Sequence, residues 1–205
     1  MSNNARLFVI AAPSGAGKTT LVKAIVDRNP DLKFSTSYTT REKRVNEVEG
    51  EDYFFVSEAG FEELSAKGEL LESALVFDNH YGTSRSLVEE HLANGNHVVL
   101  EIDWQGAQQV RQSKADCITI FILPPSGEEL ERRLRDRKTD SDSVVERRLK
   151  DALGDMSHWE EFDYVIINDD LDLAVTELES VFKGAGHENK IMCASLRARV
   201  QRVMH

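Results

Sequence analysis

The stretch Leu7-Phe-Val-Ile-Ala11, continued by Ala12-Pro13-Ser14-Gly15-Ala16-Gly17-Lys18-Thr19-Thr20, decides the fold. Its first five residues form a short, continuous apolar run, which predicts a strand buried on both faces. A glycine-bearing turn follows, and a helical pattern runs from Thr19 to Arg28. Gly15 and Gly17 lack the Cβ atoms that would hold a ligand away from the backbone. Consecutive amides and a helix N-terminus can therefore surround a polyphosphate. Lys18 can reach the β- and γ-phosphates, and the Thr19 hydroxyl can ligate Mg2+. The motif normally begins with Gly; Ala12 departs from it, but only a small residue is demanded there. The plainer reading is a glycine turn capping a helix, with Lys18 and Thr19 on the surface by chance. Strand and helix both in place argue against it.

Outward from this loop, β-branched runs recur at Val98–Ile102, Ile118–Leu123 and Tyr164–Ile167. Helical patterns follow near Trp104–Gln112, Ser126–Arg137 and Leu171–Lys183. That alternation predicts an α/β fold, a central parallel sheet flanked by helices, over residues 1–33 and 96–183. Residues 34–95 break the rhythm. Phe34–Thr40, Tyr53–Val56 and Leu70–Phe77 read as strands with polar alternation, and Glu58–Lys67 as a helix. This predicts an inserted mixed α/β subdomain. Residues from about 137 to 145 are polar and lie between two helices, as a short lid would. Residues 184–205 are a basic tail, read as an appended helix or a partly disordered end.

A partner acid for the loop is expected from another core strand. Val98–Asp103 is apolar and ends with Glu101 and Asp103. A carboxylate there faces the crevice where open α/β sheets bind ligands, and it can order a Mg2+ shell or a substrate hydroxyl. Asp103 equally suits an N-cap for the next helix, and the two roles can coexist.

Composition sets the outer limits. The 205 residues carry 25 Lys plus Arg against 36 Asp plus Glu, a net charge of −11. The tail holds 4 of the bases and 1 of the acids, leaving 21 against 35, or −14, before residue 184. Such a balance argues against a nucleic-acid coat, which must neutralise many phosphates, but not against a small anion in a local pocket. No apolar stretch approaches the roughly 20 residues of a membrane span, and Met1–Arg6 is too polar for a signal peptide. Only Cys117 and Cys193 are present, which fits a reducing cytoplasm.

With these features placed, the chain resembles bacterial guanylate kinases from about Leu7 to Lys183. The resemblance rests on APSGAGKTT (12–20), SYTTREKR (37–44), GEDY (50–53) and Glu72. It continues through YGTSR (81–85), EIDWQG (101–106), LPPS (123–126) and VIINDD (165–170). Their shared order is what makes it specific. The resemblance implies a P-loop kinase core and transfer of the ATP γ-phosphoryl group to GMP, and to dGMP, with Mg2+ as cofactor. Ala12 to Thr20 and Asn168 would serve ATP, Asn168 beside the adenine. Ser37, Arg41, Arg44, Tyr53, Glu72, Tyr81, Thr83, Glu101 and Asp103 would serve GMP, and Thr19 and Asp103 the metal. Lys18, Arg41, Arg137 and Arg148 would act on the transferring group, Arg41 bridging donor and acceptor phosphates. The partners implied are these nucleotides, neither nucleic acid nor membrane; a helical tail would offer an interface for a homo-oligomer.

The residue types suit these roles. Two guanidinium groups fork onto phosphate oxygens, and tyrosine hydroxyls complete the donor set without adding charge. A carboxylate such as Glu72 accepts both guanine N1–H and the 2-amino group, whereas adenine offers an acceptor and a C–H there. Ser37 and Thr83 hydroxyls can donate to O6. Most of the remaining cluster Arg132, Arg133, Arg135 and Arg147 reads as a solvated helix face paired with Glu128, Glu129, Glu131 and Glu146. The six histidines, Trp104, Trp159 and Cys117 read as surface or packing residues. Three departures from the family pattern stand out: Val45-Asn46 where a proline–glycine pair is common, Glu101 in place of Asp, and Lys138 after Arg137 where glycine is usual. Two rivals remain open: a partner-binding module using the GMP site, and a P-loop kinase for another acceptor.

Overall fold

The structure, a computed structural model, describes residues 5–76, 78–136 and 142–204. The chain forms two compact units, one of Met1–Val9 with Pro30–Ile118 and one of Ile10–Asn29 with Thr119–His205. The boundary runs through β1 (Leu7–Ala11), all five residues of which are buried. A five-stranded sheet has the order β2-β7-β1-β8-β9, with β2 (Leu32–Phe34), β7 (His97–Glu101), β8 (Ile118–Leu123) and β9 (Tyr164–Ile167). β2 pairs parallel with β7 in the first unit, and β8 parallel with β9 in the second.

The first unit also holds a mixed four-stranded sheet, β4-β3-β6-β5. Its strands are β3 (Ser37–Thr39), β4 (Tyr53–Phe55), β5 (Leu70–Val76) and β6 (Asn79–Ser84). β3 runs parallel to β4 and antiparallel to β6, and β5 is antiparallel to β6. Helices α2 (Glu58–Ala66), α3 (Arg85–Ala93) and α4 (Trp104–Ser113) belong to this unit. Each begins at a side-chain cap, Ser57, Ser84 and Asp103 respectively, which satisfies an otherwise orphaned helix amide. The cap predicted for Asp103 is therefore present.

In the second unit, α1 (Lys18–Arg28) follows β1, α5 (Gly127–Asp136) follows β8, and α6 (Asp142–Met156) precedes β9. α7 (Leu171–Phe182) follows β9 behind an Asp170 cap. Its core combines the β8 and β9 runs with Leu130, Leu134, Val175 and Leu178. The tail is ordered as a further helix, α8 (Ala194–Met204), which buries Leu196, Val200 and Val203. Arg197 lies over the Trp159 ring at 5.0 Å and pairs with Glu160 at 2.5 Å. Of the segment read as a lid, 142–145 form the first turn of α6, and 137–141 lie outside the described residues. Among the described residues no helix is long and apolar enough to cross a membrane.

Candidate active site

The phosphate loop belongs to the second unit. Beyond β1 the chain turns on itself, Ala16 N donating to Pro13 O at 3.2 Å, and α1 begins at Lys18. Gly15 and Gly17 take φ of +91° and +88°, the left-handed region that side-chain-bearing residues avoid. Both also lack room. A Cβ at Gly15 would come within 3.0 Å of Leu130, and one at Gly17 would strike Asn168 Nδ2. Asn168, 6% exposed at the end of β9, donates to Ala16 O at 2.8 Å. That bond fixes the plane of the Ala16–Gly17 peptide, and with it the direction of the Gly17 amide.

Arg133 shares this task, which sequence reasoning missed. Its guanidinium reaches Asn168 O at 3.1 Å and Ala16 O at 3.5 Å, while Nε donates to Glu129 at 2.8 Å. Hydrogen bonds from Arg132, then Arg133, hold the Glu129 carboxyl down at about 2. The Glu129–Arg133 spacing is the ordinary four-residue one of a surface pair, and nothing in the sequence shows where the far end of the arginine reaches. Lys18 is half-buried, and Thr19 and Thr20 are exposed at the start of α1. Arg148 lies within α6, partly exposed; Arg137 lies outside the described residues.

The residues expected to hold the acceptor belong to the first unit, and strand register brings four of them into one row. Tyr53 is opposite Ser37, Ser37 opposite Thr83, and Thr83 opposite Glu72. Directly opposed residues share a face, so the row crosses all four strands of the mixed sheet on one side. Tyr81, two residues before Thr83 on β6, shares that face. Glu72 is there because β5 slips by one residue: Leu70 opposes Ser84, yet Glu72 opposes Thr83. Without the extra residue, Leu71 would oppose Thr83 and Glu72 would turn to the other face. The slip also buries Leu70 and Leu71 together.

Thr83 Oγ1 donates to Glu72 Oε1 at 2.6 Å, and both residues are at least 96% buried. The single hydroxyl hydrogen of Thr83 is thus already directed at the carboxylate. Donation to a base oxygen requires that the hydroxyl rotate.

At the other end of the row stands the cationic corner. Arg41 donates to Glu47 at 2.6 Å and to the Glu42 carbonyl at 2.7 Å, and it lies over the Tyr53 and Phe55 rings at 5.4 and 5.8 Å. Burial works against its charge, but hydrogen bonds to Glu47 and Tyr81 prevail and raise its pKa. Glu47 also accepts from the Arg44 amide at 2.8 Å, and its oxygen lies 3.8 Å from the Arg44 guanidinium. Burial pushes its carboxyl up, but bonds from Arg41 and Arg44 outweigh that and leave it lowered. Tyr53, in edge contact with Tyr81 at 5.9 Å, is pushed up to about 12, first by burial and next by the charge of Glu101. Its hydroxyl therefore stays a neutral donor through the physiological range. The same effect places Glu101, half-buried at the end of β7, within electrostatic reach of the row.

Asp103 follows two residues later, its Oδ1 accepting from Gly106 N at 2.8 Å. Groups of three or more His, Cys, Asp or Glu residues fit to hold a metal are absent among the described residues. Mg2+ on a nucleotide needs only one or two protein oxygens, the phosphates and water supplying the rest. The hard oxygen donors of Thr19 and Asp103 are of the kind that ion takes.

Comparison with known proteins bears on these sites. The family model described as guanylate kinase matches residues 4–185. A guanylate kinase of Methylococcus capsulatus is 54% identical over 175 residues, covering 85% of this chain and 86% of that protein. One from Escherichia coli K12 is 49% identical over 179 residues, covering 86% of each. The crystal structure of guanylate kinase from Anaplasma phagocytophilum superposes with a TM-score of 0.73 at 33% identity, covering 97% of this chain and 94% of the other. A shikimate kinase from Bacteroides thetaiotaomicron, 22% identical with a TM-score of 0.50, shares the fold, covering 87% of this chain and 98% of that one.

Proposed function

Because the chain belongs to the guanylate kinase family, we propose that it transfers the γ-phosphoryl group of ATP to GMP, giving ADP and GDP, with dGMP as a second acceptor. It is a phosphotransferase of the nucleoside monophosphate kinase class. The observation that carries the acceptor assignment is the row Tyr53–Ser37–Thr83–Glu72, flanked by Arg41 and Tyr81. It sets a buried carboxylate at one end and a guanidinium with two phenols at the other, the polarity of a guanine linked to a phosphate.

Phosphoryl transfer needs positioning and charge stabilisation more than covalent help. The attacking group is already a phosphate oxygen, so the chain supplies no general base. Lys18 and the loop amides hold the β- and γ-phosphates, with the Gly17 amide aimed by Asn168 and Arg133. Arg41, Arg44, Tyr53 and Tyr81 hold the acceptor phosphate. Glu72 accepts the N1–H and 2-amino hydrogens of guanine, and adenine would leave it facing a lone pair. A site built to hydrogen-bond its substrate rejects such an analogue by about 10⁴-fold. Arg148 on α6 would add positive charge at the transferring group, as would Arg137, which lies outside the described residues. Thr19 and Asp103 would hold Mg2+, which neutralises charge on the β- and γ-phosphates when bound. No proposed contact needs the ribose 2′-hydroxyl, which is why dGMP is included. Neither Cys117 nor Cys193 is in a disulfide, which together with a nucleotide substrate fits a cytoplasmic setting.

The test is phosphorus NMR of the protein with ATP, Mg2+ and GMP. GDP and ADP are expected to accumulate in equal amounts. ADP without GDP, or no reaction, would contradict the proposal.

A further inference from the structure

We propose that Gly106 and Gln109, on one face of α4, are specificity-determining positions that fix the Glu72 carboxylate in its guanine-reading place. The inference rests on the reading of Glu72 given above. It concerns residues with no assigned contact to either nucleotide.

A Cβ built on Gly106 would lie 2.5 Å from Glu72 Oε2 and 3.1 Å from its carboxyl carbon. Gly106 is buried in the first turn of α4, and its amide is held by the Asp103 cap at 2.8 Å. It cannot move aside without breaking that cap. The same Cβ would lie 3.2 Å from Asp103 Oδ1, so the carboxylates of Glu72 and Asp103 flank this one glycine. Absence of a side chain is therefore a requirement of position, although the backbone at Gly106 is ordinary helix. On its other oxygen, Glu72 receives the Thr83 hydroxyl at 2.6 Å. The carboxylate is thus located between Thr83 and the start of α4, where the positive end of the helix favours an anion.

Gln109 lies three residues further along, one helical turn, and so on the same face as Gly106. Its side-chain amide pairs with the backbone of Ser73, next to Glu72: Nε2 donates to Ser73 O at 2.7 Å and Oε1 accepts from Ser73 N at 3.1 Å. It behaves as a fragment of neighbouring strand and ties α4 to β5 just past the slipped residue. Gly106 sets how close α4 lies to the carboxylate, and Gln109 sets where β5 stands along it. A displacement of about 1 Å at Glu72 breaks its paired acceptance of N1–H and the 2-amino group while leaving the phosphate contacts alone. IMP lacks that 2-amino group, so the ratio of kcat/KM for GMP to that for IMP reads the placement directly.

The test compares this ratio in the wild-type enzyme, Glu72→Gln, Gly106→Ala and Gln109→Leu, with KM for ATP measured on each. Expected are a fall of at least tenfold in the ratio for Gly106→Ala and several-fold for Gln109→Leu, with KM for ATP within twofold of wild type. General loss of structure would lower GMP and IMP turnover together and leave the ratio in place. If Glu72→Gln collapses the ratio but Gly106→Ala and Gln109→Leu keep it, the inference is overturned and the reading of Glu72 stands. If Glu72→Gln keeps the ratio, the reading of Glu72 fails and the inference with it. Should Gly106→Ala not fold, Gln109→Leu decides alone: an unchanged ratio there refutes the proposal.

Discussion

Arg41 donates to Glu47 at 2.6 Å with the two side chains only 16% and 15% exposed, so an internal carboxylate already occupies part of the fork proposed to hold a phosphate. Glu47 also takes the Arg44 amide, and so serves as the common anchor of both arginines. Replacing it removes a charge-assisted bond of about 1.5–3 kcal/mol. Glu47→Gln is expected to raise KM for GMP about tenfold, with KM for ATP unchanged. Steady-state kinetics with each nucleotide varied would decide; an unchanged or lowered KM for GMP would mean that Glu47 competes with substrate rather than anchoring the arginines.

The same pair has a pH signature. The Glu47 carboxyl lies below its ordinary 4.5 in the folded chain. A lowered carboxyl contributes stability above its unfolded value and loses it as pH falls through the folded one. Thermal melts from pH 6 to 3 should therefore show a steeper fall for wild type than for Glu47→Gln. Parallel curves would argue against the pairing.

Tyr53 titrates in the opposite sense. Its hydroxyl is raised from 10 to about 12, so the stability linked to it is complete below pH 10 and is lost as pH rises toward 12. Absorbance at alkaline pH should show one tyrosine ionising near 12 in wild type and missing in Tyr53→Phe. A wild-type minus variant difference centred at 10 would show that the ring is not buried beside Glu101.

Around the phosphate loop, Gly17→Ala places a Cβ against Asn168 Nδ2 and forces alanine to φ of +88°. The backbone strain alone is about 1–2 kcal/mol. ATP affinity, measured calorimetrically, should fall about tenfold or more while GMP affinity holds. Equal loss of both would point to global unfolding instead.

The tail helix is a stability element. Leu196 is 1% exposed, and Leu196→Ala should cost about 2–5 kcal/mol. Calorimetric melting would measure it, and solution mass on the same samples would show whether α8 also joins copies of the chain. A melting point equal to wild type would mean that α8 does not pack as described.

Much of this was legible in the sequence. The strands Leu7–Ala11, Ile118–Leu123 and Tyr164–Ile167 appear where their apolar runs stand, because strands buried on both faces leave no ambiguity of period. β6 was not legible. Asn79–Ser84 carries no apolar run, and it is a strand because β3 and β5 flank it. The stretch Phe34–Thr40 likewise divides between β2 and β3, in two different sheets. The residue types of the acceptor row were visible, but their alignment depends on a one-residue slip that no local pattern announces. Arg133 was misjudged for a similar reason. Its spacing to Glu129 speaks of a surface pair, while its contacts with Ala16 and Asn168 cross long intervals of chain.

On the proposed function, the acceptor is chosen by its guanine edge. The most direct measurement is kcat/KM for GMP against AMP, by coupled ADP release with saturating ATP and Mg2+. A preference for GMP of about 10⁴-fold is expected, because only guanine satisfies the buried acceptor. A ratio near one, or AMP preferred, would contradict it.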